Sequence, residues 1–197
     1  MKHKCQDLAS LNAYDIAFIV KQLRQDKVLA LPTDTIYGLS CSATSIQALN
    51  KIIKIKNRPN NKRFILLVSD LKMACFWADI KKNTLKDIKK IWQEDEPTTF
   101  ILKAQKYVET SLKDENGNIS LRLPKSDFLI KIVKELGSPL ISTSLNLSGQ
   151  PFLKTVKNLE KVFPDNLLPD MVLDIGPLNG APSKIIDYSG DKPMQIR

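Results

Sequence analysis

Three short segments of the sequence place polar or basic side chains where a predicted strand or helix ends. The first, residues 31–39, reads Leu-Pro-Thr-Asp-Thr-Ile-Tyr-Gly-Leu and continues an apolar strand. Its hydroxyl groups and backbone N–H groups suit the binding of carboxylate or phosphate oxygens. In a plain strand-to-turn junction, the same Thr and Asp side chains would satisfy local backbone groups instead. The spacing alone favours this simpler interpretation.

The second segment, residues 56–59, reads Lys-Asn-Arg-Pro and ends a predicted helix. Lys56 and Arg58 are two residues apart across the break, so both side chains could face one cleft. Lysine offers a compact charge and arginine a planar fork, and together they suit a polyphosphate. Basic residues that stabilise a helix C-terminus explain the pattern equally well.

The third segment, residues 141–149, reads Ile-Ser-Thr-Ser-Leu-Asn-Leu-Ser-Gly. A buried strand opens here into a hydroxyl-rich loop that contains Asn146, and Gly149 permits an unusual backbone angle. The loop offers many hydrogen bonds and no titratable group, which favours binding and positioning over proton transfer. A loop that caps the following helix is an equally good interpretation.

The elements that must position these segments follow from hydrophobic periodicity, which predicts one α/β domain with a mixed sheet. Helices are predicted at residues 13–27, 45–56, 126–136 and 156–162, with two short ones within 72–93. Strands are predicted at residues 28–31, 64–69, 98–104, 119–123, 139–143, 172–174, 184–188 and 194–197. Gly137 is expected to end the third of the long helices in a left-handed cap. The second helix is expected to bury Ile46, Leu49, Ile52 and Ile53.

Composition excludes several classes of function. The chain has 197 residues, of which 43% are hydrophobic, and no apolar run approaches the roughly 20 residues of a membrane span. We expect a cytoplasmic protein, since no signal-type apolar stretch follows the N-terminus. The three cysteines lie far apart and are expected to be reduced thiols. The single histidine, His3, is expected in a mobile terminus, which argues against serine triads and zinc hydrolases.

The formal net charge is +9, and a basic excess attracts nucleotides, polyphosphates, RNA or an anionic membrane surface. A solubilising surface explains the charge alone equally well. Residues 51–63 hold six basic residues and no acidic one, which indicates a local site for an anion. Neither of the common Gly-rich phosphate loops is present, so any ATP would bind by other means.

Taken together, the three segments resemble the YrdC family of threonylcarbamoyl-AMP synthases. Residues 32–39 match the family pattern P-T-(D/E)-T-x-Y-G-L at every fixed position, and residues 56–59 match K-x-R-P. Residues 142–149 match S-T-S-A-N-x-S-G except at Leu145. Residues 182–187 resemble P-S-x-I-x-D, residues 121–124 resemble V-R-x-P, and Arg197 falls where the last family arginine ends the domain. The resemblance covers about the whole chain.

The resemblance implies a twisted mixed α/β sheet flanked by helices, with a large concave basic cavity, over residues 1–197 and with no additional C-terminal domain. It implies ATP-dependent synthesis of L-threonylcarbamoyl-adenylate from L-threonine and bicarbonate, with release of pyrophosphate. Mg²⁺ would enter with ATP, and no dedicated protein metal site is predicted. A separate transferase complex would pass the product to tRNA, so tRNA and that complex are candidate partners, and no membrane is expected.

By the same resemblance, each matching residue acquires an expected role. Threonine and its carbamate would be held by Thr35, Arg122, Ser142 and Ser183. ATP would be contacted by Lys56, Arg58, Thr99, Ser144, Asn146 and Arg197, with Lys56 and Arg58 as the catalytic pair. Tyr37 would shape the pocket together with Asn146.

Three residues depart from the family pattern. Leu145 replaces the usual alanine, and we expect it to reshape the loop or crowd the nucleotide side. Glu96 replaces a glycine and is expected to put a carboxylate near a site for anions. Lys62 stands where many relatives have asparagine.

Two other functions stay open at this stage. A non-catalytic module that binds tRNA or double-stranded RNA would use the +9 charge, but aromatic content is only 7% and no aromatic residue lies within residues 51–63. A paralogue of the same fold could act on a different carbamoyl or acyl substrate. Sequence separates that case poorly, because selectivity for threonine depends on the shape of the pocket.

Overall fold

The computed structural model describes residues 2–5, 7–57, 64–190 and 192–197. The helices are α1 (Ala13–Arg24), α2 (Ile46–Lys56), α3 (Leu71–Trp77), α4 (Lys82–Ile91) and α5 (Asp127–Leu136). The strands are β1 (Lys2–Lys4), β2 (Leu29–Leu31), β3 (Gly38–Ser42), β4 (Ile65–Leu67), β5 (Thr98–Lys103), β6 (Asn118–Arg122), β7 (Leu140–Ser144), β8 (Met171–Asp174), β9 (Lys184–Asp187) and β10 (Met194–Gln195).

The strands of the described residues form one sheet in the order β1-β8-β2-β3-β7-β4-β6-β5-β9-β10. The sheet contains both parallel pairs, such as β4 with β6, and antiparallel pairs, such as β5 with β6. The predicted mixed α/β sheet is therefore confirmed. Since strands far apart in sequence lie side by side, the sheet brings together segments that the chain separates by up to about 170 residues.

Local sequence signals set the helix ends. Asn12 and Asp15 form a capping box at the start of α1, and the Ser45 side chain accepts a hydrogen bond from the Ala48 N–H at the start of α2. Gly137 ends α5 in the left-handed region with φ 78°, which confirms the predicted cap.

A large core covers one face of the sheet and includes the inner stripe of α2. Leu49 and Ile52 are buried as expected, but Ile46 is half exposed and Ile53 is only partly buried. Ala48 and Ile55 are buried instead, so the buried stripe runs through positions 48, 52 and 55 at the spacing of one helix face.

A second core lies on the other face of the sheet, where α1 and α5 pack side by side over β2, β4 and the start of β7. Both helices supply regular apolar stripes, such as Ile16, Val20 and Leu23 of α1. These two helices cover only one part of that face. Among the described residues, no helix covers the part formed by β5, β6, β9 and the end of β7, and this open part becomes the floor of a cavity.

The structure departs from the sequence analysis at three places. The helix predicted at residues 156–162 is only a 3₁₀ turn at Leu159–Lys161, because Asn158 before it has a left-handed φ of 62°. The backbone at His3 belongs to strand β1, which was not predicted and which pairs in parallel with β8. Strand β3 was not predicted, because its buried serines and glycine do not resemble an apolar strand. Within the described part of the chain, no helix is long and apolar enough to cross a membrane.

Candidate active site

The open part of the second sheet face forms the floor of a cavity of about 560 Å³. Its floor comes from strands β3 to β7 and β9, and its walls come from residues 33–37, 144–152, 182–185 and 196–197. The first and third polar segments therefore face one cavity, and Lys56 of the second segment contacts the third, while residues 58–63 lie outside the described part.

Strand alternation explains which side chains reach the floor. In β6, Ser120 and Arg122 face the cavity, while Ile119 and Leu121 between them belong to the large core. The same alternation holds in β5, where the cavity residues are Thr99 and Ile101 and the core residues are Phe100 and Leu102. Successive strand residues point to opposite faces of a sheet, so each strand contributes to the core and to the cavity at once.

Strand register lines up the polar groups across the sheet. One row pairs Arg122 of β6 with Thr99 of β5, which in turn pairs with Ile185 of β9. A second row runs from Ser142 of β7 through β4 to Ser120 of β6. The predicted ligand-binding residues are thus neighbours on adjacent strands.

Arg122 lies at the inner end of the cavity and is only 3% exposed. Its Nη1 donates to Thr35 Oγ1 at 3.2 Å, and its Nη2 donates to Asp34 Oδ1 at 3.1 Å. The Asp34 side chain is itself 5% exposed, and its Oδ2 accepts a hydrogen bond from the Lys125 backbone N–H at 2.9 Å. Within the described residues, the buried Nε of Arg122 has no hydrogen-bond partner.

The turn that follows β2 is held by its own hydroxyl groups. Thr33 Oγ1 donates to the Ile36 carbonyl at 2.6 Å and accepts from the backbone N–H groups of Thr35 and Ile36. Thr33 Oγ1 also lies 2.8 Å from Thr35 Oγ1. Thr35 Oγ1 in turn accepts the hydrogen bond from Arg122 Nη1. The hydroxyl groups of this segment therefore satisfy its own backbone, as the simpler interpretation expects, and the segment also forms part of the cavity wall.

The rim of the cavity carries a second guanidinium group, that of Arg197, an exposed residue. Its Nε donates to the Ser183 carbonyl at 3.0 Å, and Ser183 Oγ lies 2.8 Å from Thr99 Oγ1. Backbone hydrogen bonds between Ile185 and Arg197 hold the chain end against β9.

Charge in the described lining is cationic. Burial lowers the pKa of the Arg122 guanidinium, Asp34 opposes that effect, and the nearby positive charge of Arg197 lowers the pKa further. Among the described residues that line the cavity, these two arginines are the charged ones. Two guanidinium groups facing one cavity suit a ligand with at least one carboxylate or phosphate group.

The hydroxyl-rich loop is held from beneath by Lys56, which is 1% exposed. The Lys56 Nζ donates to the Ser144 carbonyl at 2.5 Å and to Asn146 Oδ1 at 2.6 Å. Asn146 also accepts from Ser144 Oγ at 2.7 Å and donates to the Gln150 carbonyl at 2.5 Å. The ammonium group therefore organises the loop from the side opposite the cavity.

Tyr37 is buried in the wall and fixes a further loop. Its hydroxyl donates to the Gly176 carbonyl at 2.7 Å and accepts from the Ile175 N–H at 3.0 Å. Burial raises the pKa of this phenol, so the hydroxyl stays protonated and keeps donating. This placement agrees with the expected role of Tyr37 in shaping the pocket.

Two glycines allow close approaches at the cavity. A Cβ on Gly38 would lie 2.5 Å from Ser142 Oγ. A Cβ on Gly180 would overlap the backbone carbonyl group of Thr35. A side chain at Gly180 would push the backbone segments apart, whereas at Gly38 either the strands or the Ser142 hydroxyl would have to move.

The structure brings most of the predicted site residues into one lining: Thr35, Tyr37, Thr99, Arg122, Ser142, Ser144, Asn146, Ser183 and Arg197. Lys56 is adjacent but lies beneath the loop and does not line the cavity. Its predicted contact with ATP stays a prediction. Arg58 and Lys62 lie outside the described residues.

Neither of the two described departures lines the cavity. Leu145 does not crowd it, because its side chain is fully buried in the large core, and its backbone N–H donates to the Tyr37 carbonyl. Glu96 does not line the cavity, since its carboxylate faces Lys184 at 3.7 Å and is largely exposed.

Sequence reasoning assigned no role to Asp34, Ser120, Ile65 or Phe152. Ser120 could have been found, because it alternates with apolar residues in residues 119–123 on the same side as Arg122. Asp34 stood inside a recognised segment, but its pairing with Arg122 spans 88 positions and depends on the tertiary fold. Phe152 follows the recognised loop without any pattern of its own.

Comparison with known proteins shows the family to which this chain belongs. The Sua5/YciO/YrdC family model, described as telomere recombination, matches residues 21–197. The chain belongs to the Sua5/YciO/YrdC family. The resemblance drawn from the sequence motifs is thereby confirmed. A relative from Dichelobacter nodosus, named threonylcarbamoyl-AMP synthase, is 33% identical over 181 residues, covering 85% of this chain and 92% of the relative.

Solved structures of the Sua5/YciO/YrdC family share the fold. Escherichia coli YciO is 26% identical with a TM-score of 0.82, and the match covers 100% of this chain and 93% of YciO. Pyrococcus abyssi Sua5, solved in complex with L-threonine, is 21% identical with a TM-score of 0.87. That match covers 100% of this chain, which spans 57% of the Sua5 chain.

Proposed function

We propose that this chain is an L-threonylcarbamoyl-adenylate synthase, a nucleotidyltransferase that uses L-threonine, bicarbonate and ATP and releases pyrophosphate. The observation that carries the proposal is the cavity with Arg122 at its buried end and Arg197 at its exposed rim. Relatives of similar length are named for this activity, and a Sua5 with the same fold binds L-threonine. A cavity with one deep and one exposed guanidinium group suits a small carboxylate beside a larger polyphosphate.

At the buried end, the carboxylate or carbamate of N-carboxy-threonine would meet Arg122. Its Nε–H is buried and has no partner within the described residues, so an anionic oxygen would satisfy it. The hydroxyl groups of Ser142 and Ser183 and the acceptor oxygen of Thr35 line the same space. Small hydroxyl groups of this kind offer both donors and acceptors, as an amino-acid substrate needs.

Arg197 at the rim and the buried Thr99 hydroxyl, which is bonded to Ser183, would face the phosphates of ATP. Either Thr99 or Ser183 donates to the other, so one hydroxyl proton of the pair is available for a ligand. Ser144 and Asn146 present the edge of the hydroxyl-rich loop to the same cavity. Mg²⁺ would arrive as part of the nucleotide substrate and share the phosphate charge.

The reaction needs alignment more than proton transfer. The threonine amine and bicarbonate condense to a carbamate with loss of water. A carbamate oxygen then bonds to the α-phosphorus of ATP, and the bond from that phosphorus to its β-bridging oxygen breaks, with the electron pair leaving on pyrophosphate. The nucleophile is already an anion, so no histidine base is required. The protein residues hold the two substrates in line and offset the developing charge.

Arg58 and Lys56 keep the catalytic roles that the family motif predicts, as part of this proposal. Lys56 would act at least through the loop that it holds, since its ammonium group touches Ser144 and Asn146. The adenylate would be passed to tRNA by a separate transferase complex. The proposal therefore implies a cytoplasmic location, with tRNA and that complex as downstream partners.

Pyrophosphate release from ATP, bicarbonate and Mg²⁺ tests the proposal, measured with and without L-threonine. We expect release to require threonine and Mg²⁺. Arg58→Ala should raise the barrier by about 3 kcal/mol, roughly a hundredfold in rate, because one cationic contact to the phosphates is lost. Release without threonine would indicate a paralogue that acts on another carbamoyl or acyl substrate. Tight binding of tRNA without turnover would indicate an RNA-binding module.

A further inference from the structure

Asp34 is a buried carboxylate at the inner end of the cavity that the proposed reaction does not use. Its side chain is 5% exposed and joins two parts of the fold, with Oδ1 on Arg122 Nη2 at 3.1 Å and Oδ2 on the Lys125 N–H at 2.9 Å. Asp34 does not line the cavity, so it does not contact a ligand there. Any effect of Asp34 on the reaction must pass through Arg122.

The contacts of Arg122 use two of its five N–H donors and leave three, one of them on Nε. Asp34 holds Nη2 and Thr35 holds Nη1, so the planar guanidinium group is fixed on two sides. Nε is buried and has no partner within the described residues. A buried N–H without an acceptor is costly, which makes a ligand oxygen at this position favourable.

The two arginines of the cavity differ in charge balance. Arg122 is paired with a buried carboxylate, so the inner end carries little net charge. Arg197 donates to the Ser183 carbonyl, and no described carboxylate lies within ion-pair distance of it. A neutralised guanidinium suits a singly charged carboxylate or carbamate, whereas an unneutralised one suits a phosphate chain.

We propose that Asp34 is a positioning and specificity residue, which orients Arg122 so that its remaining N–H groups receive the carboxylate-class group of the substrate and which disfavours phosphate at that end. This inference rests on the proposed function, because it assigns the amino-acid substrate to the Arg122 end. A purely structural role, in which Asp34 only ties residues 33–36 to Lys125, predicts a loss of stability without a selective loss of threonine binding.

Calorimetric titration of wild-type protein and Asp34→Asn with L-threonine, and separately with ATP and Mg²⁺, distinguishes the two roles. We expect the Kd for threonine to rise by about tenfold or more, since the asparagine side chain lacks the charge and one acceptor. The Kd for ATP should stay within about twofold, because the nucleotide end is not touched. Inorganic phosphate should compete with threonine more strongly in Asp34→Asn than in wild type. Glu96→Gln, which neutralises a carboxylate outside the cavity, is the matched control and should change none of these values.

A folded Asp34→Asn protein with wild-type threonine affinity would overturn the inference. If that variant does not fold, the stability of Arg122→Met is compared with that of Asp34→Asn/Arg122→Met. The double variant should melt at a higher temperature, because it removes the carboxylate that Arg122→Met leaves buried without a cation. A lower melting temperature for the double variant would overturn the pairing on which the inference depends. Failure of the wild-type protein to bind threonine would instead contradict the proposed function.

Discussion

At the scale of single residues, the cavity depends on a guanidinium group that lies almost entirely out of water. Arg122 is 3% exposed, and such a group is stable only when its charge and N–H groups have partners. Asp34 and Thr35 supply partners for Nη2 and Nη1, whereas the buried Nε has no partner within the described residues. The buried ion pair between Arg122 and Asp34 thus holds part of the site in place.

Arg122→Met should destabilise the protein by about 3–5 kcal/mol, because it leaves the Asp34 carboxylate buried without its cation. Urea unfolding, followed by circular dichroism, measures the change in the free energy of unfolding. Arg24→Met is the control, since Arg24 is bonded on the surface to the Glu135 carbonyl, and it should cost about 1 kcal/mol or less. Equal effects of the two substitutions would show that Asp34 does not depend on Arg122.

The buried thiol of Cys41 makes stability depend on alkaline pH. Burial, with a contribution from Asp26, raises the pKa of Cys41 well above its usual value of 9.0. The unfolded chain therefore loses this proton at a lower pH than the native protein. The protonated Cys41 thiol therefore contributes fully to stability below pH 9.0, and this contribution is lost as the pH rises above that value.

Between pH 9 and pH 10.5, we expect wild-type stability to fall, with Cys41 contributing about 1.4 kcal/mol per pH unit. Cys41→Ala should reduce this slope by that amount, whatever it does to stability at pH 7. Urea unfolding at several pH values measures the slope, with Cys75→Ala as the variant that keeps Cys41. An unchanged slope in Cys41→Ala would contradict the burial of this thiol.

At the scale of elements, the strands and loops around the cavity approach each other closely at two glycines, Gly38 and Gly180. Gly38→Ala would place a methyl group 2.5 Å from Ser142 Oγ, so β3 and β7 would have to move apart or the hydroxyl would have to turn away. We expect a loss of activity that exceeds the loss of stability. Gly38→Ala/Ser142→Ala should recover stability relative to Gly38→Ala alone, since the clashing oxygen is gone. Thermal melting and pyrophosphate release compare the pair, and Ser142→Ala alone is the control. No recovery in the double variant would mean that the clash lies elsewhere.

Lys56 joins the end of α2 to the loop at residues 144–152. Lys56→Met should cost about 2 kcal/mol or more, since hydrogen bonds from a charged donor are lost, and should expose the loop to chymotrypsin at Leu147 or Phe152. Lys54→Met, on the exposed side of the same helix, is the control. If Lys56→Met keeps its stability and its protection but loses ATP affinity, the lysine acts directly on the phosphates and not through the loop.

Much of this scale could be predicted from the sequence. The Gly137 cap and the strand at residues 119–123 were predicted from local signals and were confirmed, and the Ser45 cap is a local signal of the same kind. Strand β3 could not be predicted because its serines are buried against neighbouring strands, and this burial depends on the completed sheet. The role of Asp34 could not be predicted for the same reason, since its partner lies 88 positions away.

At the scale of the whole molecule, function follows from a sheet that is covered unequally. One face is buried in the large core, while α1 and α5 cover only part of the other face. The exposed remainder holds the polar rows of β5, β6 and β7, which a complete helical layer would have buried. The family motifs predicted which residues meet there, and the fold explains why they can.

The most direct test of the account is the identity of the product. The protein is incubated with ATP, Mg²⁺, ¹³C-bicarbonate and ¹⁵N-threonine, and the nucleotides are separated by chromatography and weighed by mass spectrometry. The account predicts an AMP adduct that carries both labels, formed in step with pyrophosphate. AMP or ADP without a labelled adduct, or an adduct that lacks the ¹⁵N label, would contradict it.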